Sequence, residues 1–246
     1  MVAIVSLALI AAAWRPVGAW WYDDIGNLAL AKGSPSRAVE LFDRGLALAP
    51  DSRVLLEDRG RARLPADPGG ALADLKRAAC GTPCIAEEGD AQLRLGNARQ
   101  AVADYLAARA APRLAQSVKR MTAIGQYDEA IALESALIAR LRGDVLYRAD
   151  LAAAYETLGK LEESTAYARQ NRAPAYRRVA IEAHKRASEL APFNEGYLLS
   201  YGFAQAQWGD PRAARAAFAR ELALHPHQAD AEKALQTLLG SKAREH

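Results

Sequence analysis

The apolar and small positions of this chain fall into a recurring frame. One copy reads Leu198-x2-Tyr201-Gly202-x2-Gln205-x3-Gly209-x4-Ala214-x3-Phe218-x2-Glu221-x4-Pro226, and another, position for position, reads Tyr22-x2-Ile25-Gly26-x2-Ala29-x3-Gly33-x4-Ala38-x3-Phe42-x2-Gly45-x4-Pro50. Apolar residues three and four apart define a helix face, and the Gly between two such faces defines a turn, so each copy predicts a helical hairpin. A weaker copy runs from Leu56-x2-Arg59-Gly60 through Ala71-x3-Leu75-x2-Ala78 to Pro83, and a shortened one covers Ile85 to Pro112 with Gly89, Gly96, Ala101 and Tyr105 in place. Two more, Gly125-x-Tyr127-x2-Ala130 and Leu151-x3-Tyr155-x2-Leu158-Gly159-x-Leu161, match around an expected inter-helix turn. Ser34-Pro35, Asp67-Pro68 and Asp210-Pro211 occupy one position of the frame, where an N-cap side chain followed by Pro at the first helical residue starts a helix. The frame breaks at Ala180-x3-His184-x2-Ala187-x4-Pro192, which has second-helix spacing but comes too soon after Ser164 for a full repeat of roughly 34 residues. A helix from about 174 to 190, inserted or unpaired, is expected there, and a polar terminal helix near Ala229 to Leu239.

The frame resembles the tetratricopeptide repeat over roughly residues 22 to 240. The resemblance implies an all-α fold: an α-solenoid of stacked antiparallel helical hairpins, about six repeats with one irregular, plus an N-terminal hydrophobic helix. It implies a protein-protein interaction scaffold and no particular partner. In that family the first helices line the concave face, and two positions of each point into the groove. Carried over repeat by repeat, these are Asp23 and Asn27, Glu57 and Arg61, Asp90, Lys119, and Leu199 and Phe203. The groove so defined is mixed in charge at its start and apolar near Phe203. Repeats that grip a terminal carboxylate use a basic, Asn-rich set here; Asp23 stands where Lys is expected and Asn27 alone matches, which argues against a carboxylate clamp.

The first fourteen residues, MVAIVSLALIAAAW, break the pattern with an apolar run ended by Arg15-Pro16 and followed by Trp20-Trp21-Tyr22. Three readings compete. A signal peptide finds an apolar core and an Ala11-x-Ala13 or Val17-x-Ala19 cleavage pattern, but no Lys or Arg before the run. A membrane anchor over residues 1–21 approaches the roughly 20 residues a span needs if Arg15 lies at the interface, with Trp14, Trp20, Trp21 and Tyr22 as an aromatic belt. A hydrophobic helix capping the array is the third. The domain organisation expected is 1–21 as anchor or signal-like helix, 22–240 as solenoid and 241–246 as tail.

Composition fits this picture: 51% of the 246 residues are hydrophobic, Ala is abundant, and 32 basic against 29 acidic residues leave a net charge of +3, no strong field for nucleic acid. A second basic surface is Arg169, Arg172, Arg177, Arg178, Lys185 and Arg186 against Glu182 and Glu189, a wet helix face or a weak contact with anionic lipid. Cys80 and Cys84 are the only cysteines. Their spacing is not the redox Cys-x-x-Cys and the four histidines are distant in sequence, so no metal site is expected; a disulfide across the turn or two buried thiols remain. The pair His225-Pro226-His227 reads as an exposed loop. No nucleophile motif, phosphate loop or carboxylate pair stands out, so neither a catalytic residue nor a cofactor is expected. Arg15 after the apolar run favours the cytoplasm, but a disulfide and the cleavage-like residues favour the outside, so a membrane-anchored array on the extracytoplasmic, periplasmic side is expected. Two function classes stay open, a membrane-anchored adaptor that recruits a partner through the groove and a permanent accessory subunit of a larger membrane complex.

Overall fold

The computed structural model describes residues 2–169 and 173–242, without the side chains of residues 2–13, 173 and 240–242. Every regular element among them is helical: α1 (Val2–Ala31), α2 (Pro35–Leu48), α3 (Arg53–Arg63), α4 (Pro68–Ala78), α5 (Thr82–Arg94), α6 (Ala98–Ala107), α7 (Ala111–Ala123), α8 (Tyr127–Leu141), α9 (Arg148–Ala168), α10 (Ala173–Leu190), α11 (Tyr197–Trp208), α12 (Pro211–Leu224) and α13 (Ala229–Lys242). The fold class is all-α, an α-solenoid of stacked antiparallel hairpins. Two compact units make up the chain, Met1–Gln116 and Ser117–His246.

In the first unit α1 pairs with α2, α3 with α4 and α5 with α6, and each hairpin leans on the next through α2 with α3 and α4 with α5. The periodic Gly explains the closeness of the pairs. A Cβ added at Gly26 would sit 2.4 Å from Phe42, one at Gly60 2.9 Å from Leu75, and one at Gly89 2.9 Å from Tyr105. Phe42, Leu75 and Tyr105 are fully buried, so each second helix inserts one large side chain over a missing one on the first. Between hairpins a second contact repeats the logic, with Leu55 of α3 against Gly45 of α2.

The second unit repeats the plan through α8 on α9, α9 with α10, α10 on α11, α11 with α12 and α12 on α13. Gly202 receives the ring of Phe218, 2.5 Å from where a Cβ would lie. The fifth hairpin departs from the sequence expectation. Gly159 makes no turn: α9 continues to Ala168, and Gly159 is a close-approach residue whose added Cβ would lie 2.5 Å from the imidazole of His184. The helix expected at 174–190 is therefore neither inserted nor unpaired. It is α10, the second helix of a hairpin whose first helix is 21 residues long.

Helix starts are less uniform than the sequence implies. Asp67 accepts a hydrogen bond from the Gly70 amide at 2.9 Å, and Asp210 from that of Arg212 at 2.8 Å. Ser34 makes no such bond, although Pro35 follows it.

No break separates residues 2–21 from the first hairpin, because α1 runs through both and carries Pro16 inside it. Ala19 is buried against the core of the first unit, and Leu48 lies where a Cβ on Gly18 would go. Among the described residues, no helix is long and apolar enough to cross a membrane. The polar terminal helix is α13, and tail residues 243–246 lie outside the described residues.

Candidate partner-binding face and cysteine turn

The first helices of the three hairpins in the first unit bring five of the eight sequence-selected groove residues onto one connected polar face. Arg61 of α3 is its centre. It donates from Nε to Glu87 Oε1 of α5 at 2.6 Å and from Nη1 to Asp58 Oδ1 at 2.9 Å, and it also pairs with Glu57 one turn back. Asp58 Oδ2 accepts from Asn27 Nδ2 of α1 at 2.8 Å, which ties α1 to α3. At the other end Asp90 of α5 accepts from the hydroxyl of buried Tyr105 at 2.6 Å and pairs with Arg113 at 2.5 Å.

Carboxylates dominate this face, and their protonation shows it. Burial, with the neighbouring charge of Asp58 and a hydrogen bond to it, pushes Asp23 up to about 6. Burial also raises Glu87, aided by Glu57 and opposed by Arg61 and Arg113. These are groups short of solvent and crowded by like charge, the arrangement that a cationic group relieves. Asp58 and Glu87 were missed in the sequence because the inherited positions name neither of them. The available signal was that Asp58 directly follows Glu57 and that Glu87 lies one helical turn before Asp90.

The remaining groove residues lie in the second unit. Lys119 is exposed on α7, and Leu199 is half-buried against the cluster of Ala214, Phe218 and Ala231. Phe203 is 44% exposed, and its ring meets that of Phe218 at 5.2 Å. Of the basic residues around α10, Arg172 lies outside the described residues. Arg169 pairs with Asp128 at 2.9 Å, and Arg186 with Glu182 and Glu189 at 3.0 and 2.9 Å. Arg177 stacks over Trp208 at 5.8 Å. Arg169, Lys185 and Arg186 are thus paired with carboxylates locally. His227 is exposed, whereas His225 at the end of α12 is half-buried.

On α1 the residues expected at a membrane interface divide. Trp14, Trp20 and Trp21 are 65%, 68% and 53% exposed, and Arg15 is exposed beside them. Tyr22 is half-buried, with its Cβ near Gly45, and it leaves the belt to pack on α2.

At the junction of the second and third hairpins Cys80 and Cys84 are joined by a disulfide with Cα atoms 5.4 Å apart. Ala79, which caps α4, and Gly81 both have left-handed backbone, φ 47° and 78°, and reverse the chain so that Cys84 enters the first turn of α5. Gly tolerates this at Gly81; Ala79 adopts it at some cost. Glu57 reaches the same place from α3. One ligand atom from each of Glu57, Cys80 and Cys84 lies within 4.8 Å of the others, a proximity the sequence did not show. Chain distance hid it, since Glu57 lies in the preceding hairpin.

No family model matches the chain, and no curated protein matches it. Among solved structures it is similar to the anaphase-promoting-complex hetero-tetramer Cut9-Hcn1, at 16% identity and a TM-score of 0.45 over 95% of this chain. The chain spans 46% of that protein's length. It is also similar to the TPR domain of P58(IPK), at 13% identity and a TM-score of 0.42 over 93% of this chain and 66% of that one. A third similarity is to MamA from Desulfovibrio magneticus RS-1, at 19% identity and a TM-score of 0.33 over 86% of this chain and 97% of that one. With TM-scores this low, the fold rests on the chain's own helices.

Proposed function

We propose that this protein is an interaction scaffold whose first unit binds a basic segment of a partner protein across α1, α3 and α5. The carrying observation is the continuous face of Asp23, Asn27, Glu57, Asp58, Arg61, Glu87 and Asp90, in which carboxylates outnumber guanidiniums and Asp23 is held near a pKa of 6 by burial and by Asp58. A Lys or Arg entering there relieves crowding already present, so charge complementarity selects the partner and sets its rate of capture. In the second unit, taken by itself, Lys119, Leu199 and Phe203 stand as a separate set of candidate contacts. The scaffold acts without catalysis or a cofactor and does not bind nucleic acid. The apolar N-terminal run holds it at a membrane with the hairpins on the extracytoplasmic side, a reading supported by that run and by the cysteine pairing. The test is detergent pull-down from the native host with the full chain as bait. Recovery of a partner should fall with rising salt and drop at least tenfold in Asp23→Lys; recovery indifferent to both overturns the reading.

One observation favours a second reading, a permanent accessory subunit. Trp14, Val17 and Trp21 share one exposed face of α1, with Leu28 two turns further along it, an apolar stripe of the kind that a neighbouring subunit covers. Stoichiometric recovery that survives salt and is lost in Trp14→Ser/Trp21→Ser favours the subunit.

A further inference from the structure

The disulfide turn and Glu57 have a second chemistry. We propose that reduction of the Cys80–Cys84 bond creates a site for one thiophilic divalent cation, zinc in its ordinary use, held by the two thiolates and the Glu57 carboxylate with a water in the fourth position. The geometry supplies it. The ligand atoms already lie within 4.8 Å of one another, and the three residues come from α3, the α4–α5 turn and the first turn of α5. The Cys-x3-Cys spacing is among those used by zinc sites. Two Zn–S bonds of about 2.3 Å at a tetrahedral angle set the sulfurs about 3.8 Å apart. Side-chain rotation opens the bonded pair to that distance while the Cα atoms stay 5.4 Å apart. Two thiolates, one carboxylate and an open position form the ligand count of an accessible zinc centre rather than a closed structural one.

The surroundings suit this role. Cys84 is 1% exposed at the start of a 13-residue helix, where the free amides favour a thiolate, while Cys80 is only half-buried and gives a reductant or a metal a way in. Arg61 takes Glu57 Oε1, which fixes the carboxylate and leaves its second oxygen for the cation. The balance is complete. A dithiol gives the disulfide two electrons and two protons and is itself oxidised to a disulfide, whereas a phosphine gives two electrons and becomes its oxide, with water supplying the oxygen and the two protons; the cation then displaces the two thiol protons to solvent and forms two metal–sulfur bonds. The disulfide and the metal site exclude each other, so the turn reports the redox state of its compartment by its metal content. The inference is independent of the scaffold reading, because it is measured on the chain without a partner.

The full-length chain, reduced with a phosphine under anaerobic conditions and freed of reductant, is titrated with Cd2+ while the thiolate-to-cadmium charge-transfer absorption is followed, and Zn2+ is then used to displace it. One equivalent per chain is expected for the reduced protein and none for the oxidised protein. Glu57→Gln should retain one equivalent with affinity weakened roughly tenfold or more. Cys84→Ser, checked by circular dichroism for retained helix, should lose the absorption band. Absence of stoichiometric binding to the reduced chain, equal binding by the oxidised chain, or an affinity unchanged in Glu57→Gln overturns the proposal.

Discussion

In the first hairpin the space beside Gly26 is taken by the phenyl ring of Phe42; in the fifth, the space beside Gly159 is taken by the imidazole of His184. Both rings are fully buried. Around Phe42 the neighbours are hydrocarbon, Ala19, Ala38 and Leu46 among them. Around His184 they are carboxylates: Nδ1 lies 2.8 Å from Glu156 Oε2, and Nε2 lies 3.3 Å from Glu163 Oε1. Glu156 is itself buried, accepts from Ser200 of α11 at 2.7 Å and pairs with Lys160 at 3.2 Å. Burial alone would push the imidazole pKa down, but the hydrogen bonds and charges of Glu156 and Glu163 raise it to about 9. Burial likewise pushes Glu156 up and is outweighed by His184, Ser200 and Lys160, which leaves it below the ordinary carboxylate value. One backbone frame therefore accepts either an oily plug or a charged clasp across three helices, and the clasp makes that region sensitive to substitutions and pH that the oily one ignores.

The largest effect should come from breaking the clasp on one side only. Glu156→Ala leaves a buried imidazolium facing Glu163 alone and strands Ser200, so the second unit should lose about 3 to 5 kcal/mol in urea unfolding followed by Trp208 fluorescence, with Trp14, Trp20 and Trp21 replaced by Phe. Rebuilding the plug of the first hairpin, as His184→Phe with Glu156→Gln, should recover most of that loss. A double variant no more stable than Glu156→Ala would show that the imidazole is needed for shape as well as charge.

The pH dependence separates the same two regions. His184 has a folded pKa of about 9 against an ordinary 6.5, so its contribution is complete below about pH 6.5 and disappears as pH rises through about 9. Glu134 and Glu162, raised to about 7 by burial, favour the folded state while protonated and lose that contribution between about 4.5 and 7. The unfolding free energy reported by Trp208 should therefore fall steadily from about pH 4.5 to 9, by up to ~3 kcal/mol over the His184 range. In the first unit the raised carboxylate Asp23 is half-titrated near 6 and almost fully ionised by about pH 7, so a probe there should change little between pH 7 and 9. A flat Trp208 profile from 6.5 to 9 would mean that His184 is neutral in the fold.

Filling the first nest is the next smaller change. Gly26→Ala puts a methyl group 2.4 Å from the Phe42 ring, which is walled in and cannot swing aside, and should cost about 1 to 3 kcal/mol by thermal or urea unfolding. Adding Phe42→Leu should return part of the loss. If the pair is no better than Gly26→Ala alone, the fit between Gly and ring does not set the spacing of α1 and α2.

The Gly-to-ring frame was legible because both members of each pair recur at fixed spacing, and it carried the fold from Tyr22 to Pro112 and again from Leu198 to Pro226. It failed at Gly159 for a physical reason. Gly33, Gly96 and Gly125 are turn residues with positive φ, whereas Gly159 is helical and small because His184 presses on it, and a sequence prints both kinds with one letter. The clasp was missed because a histidine in the seat of a Phe looks like an outlier until Glu156 and Glu163 are seen one turn to either side of Gly159. Groove positions carried by repeat register placed Asp23, Asn27, Glu57, Arg61 and Asp90 on one face. Register says nothing of the neighbours Asp58 and Glu87, nor of Glu57 meeting cysteines in a different hairpin.

The smallest effect concerns three turns that read alike. Ser34-Pro35, Asp67-Pro68 and Asp210-Pro211 share a position, yet Asp67 and Asp210 accept amide hydrogen bonds and Ser34 does not. Removing a working cap exposes an amide that the Pro at the first position cannot replace, since Pro only removes one donor from the set that needs partners. Asp67→Ala and Asp210→Ala should each cost about 1 kcal/mol in urea unfolding. Ser34→Ala should cost a few tenths at most, because Pro35 already fixes the backbone and no side-chain bond is lost. Equal losses at all three positions would mean that Ser34 caps α2 in solution, and the difference between the first helix start and the other two would disappear.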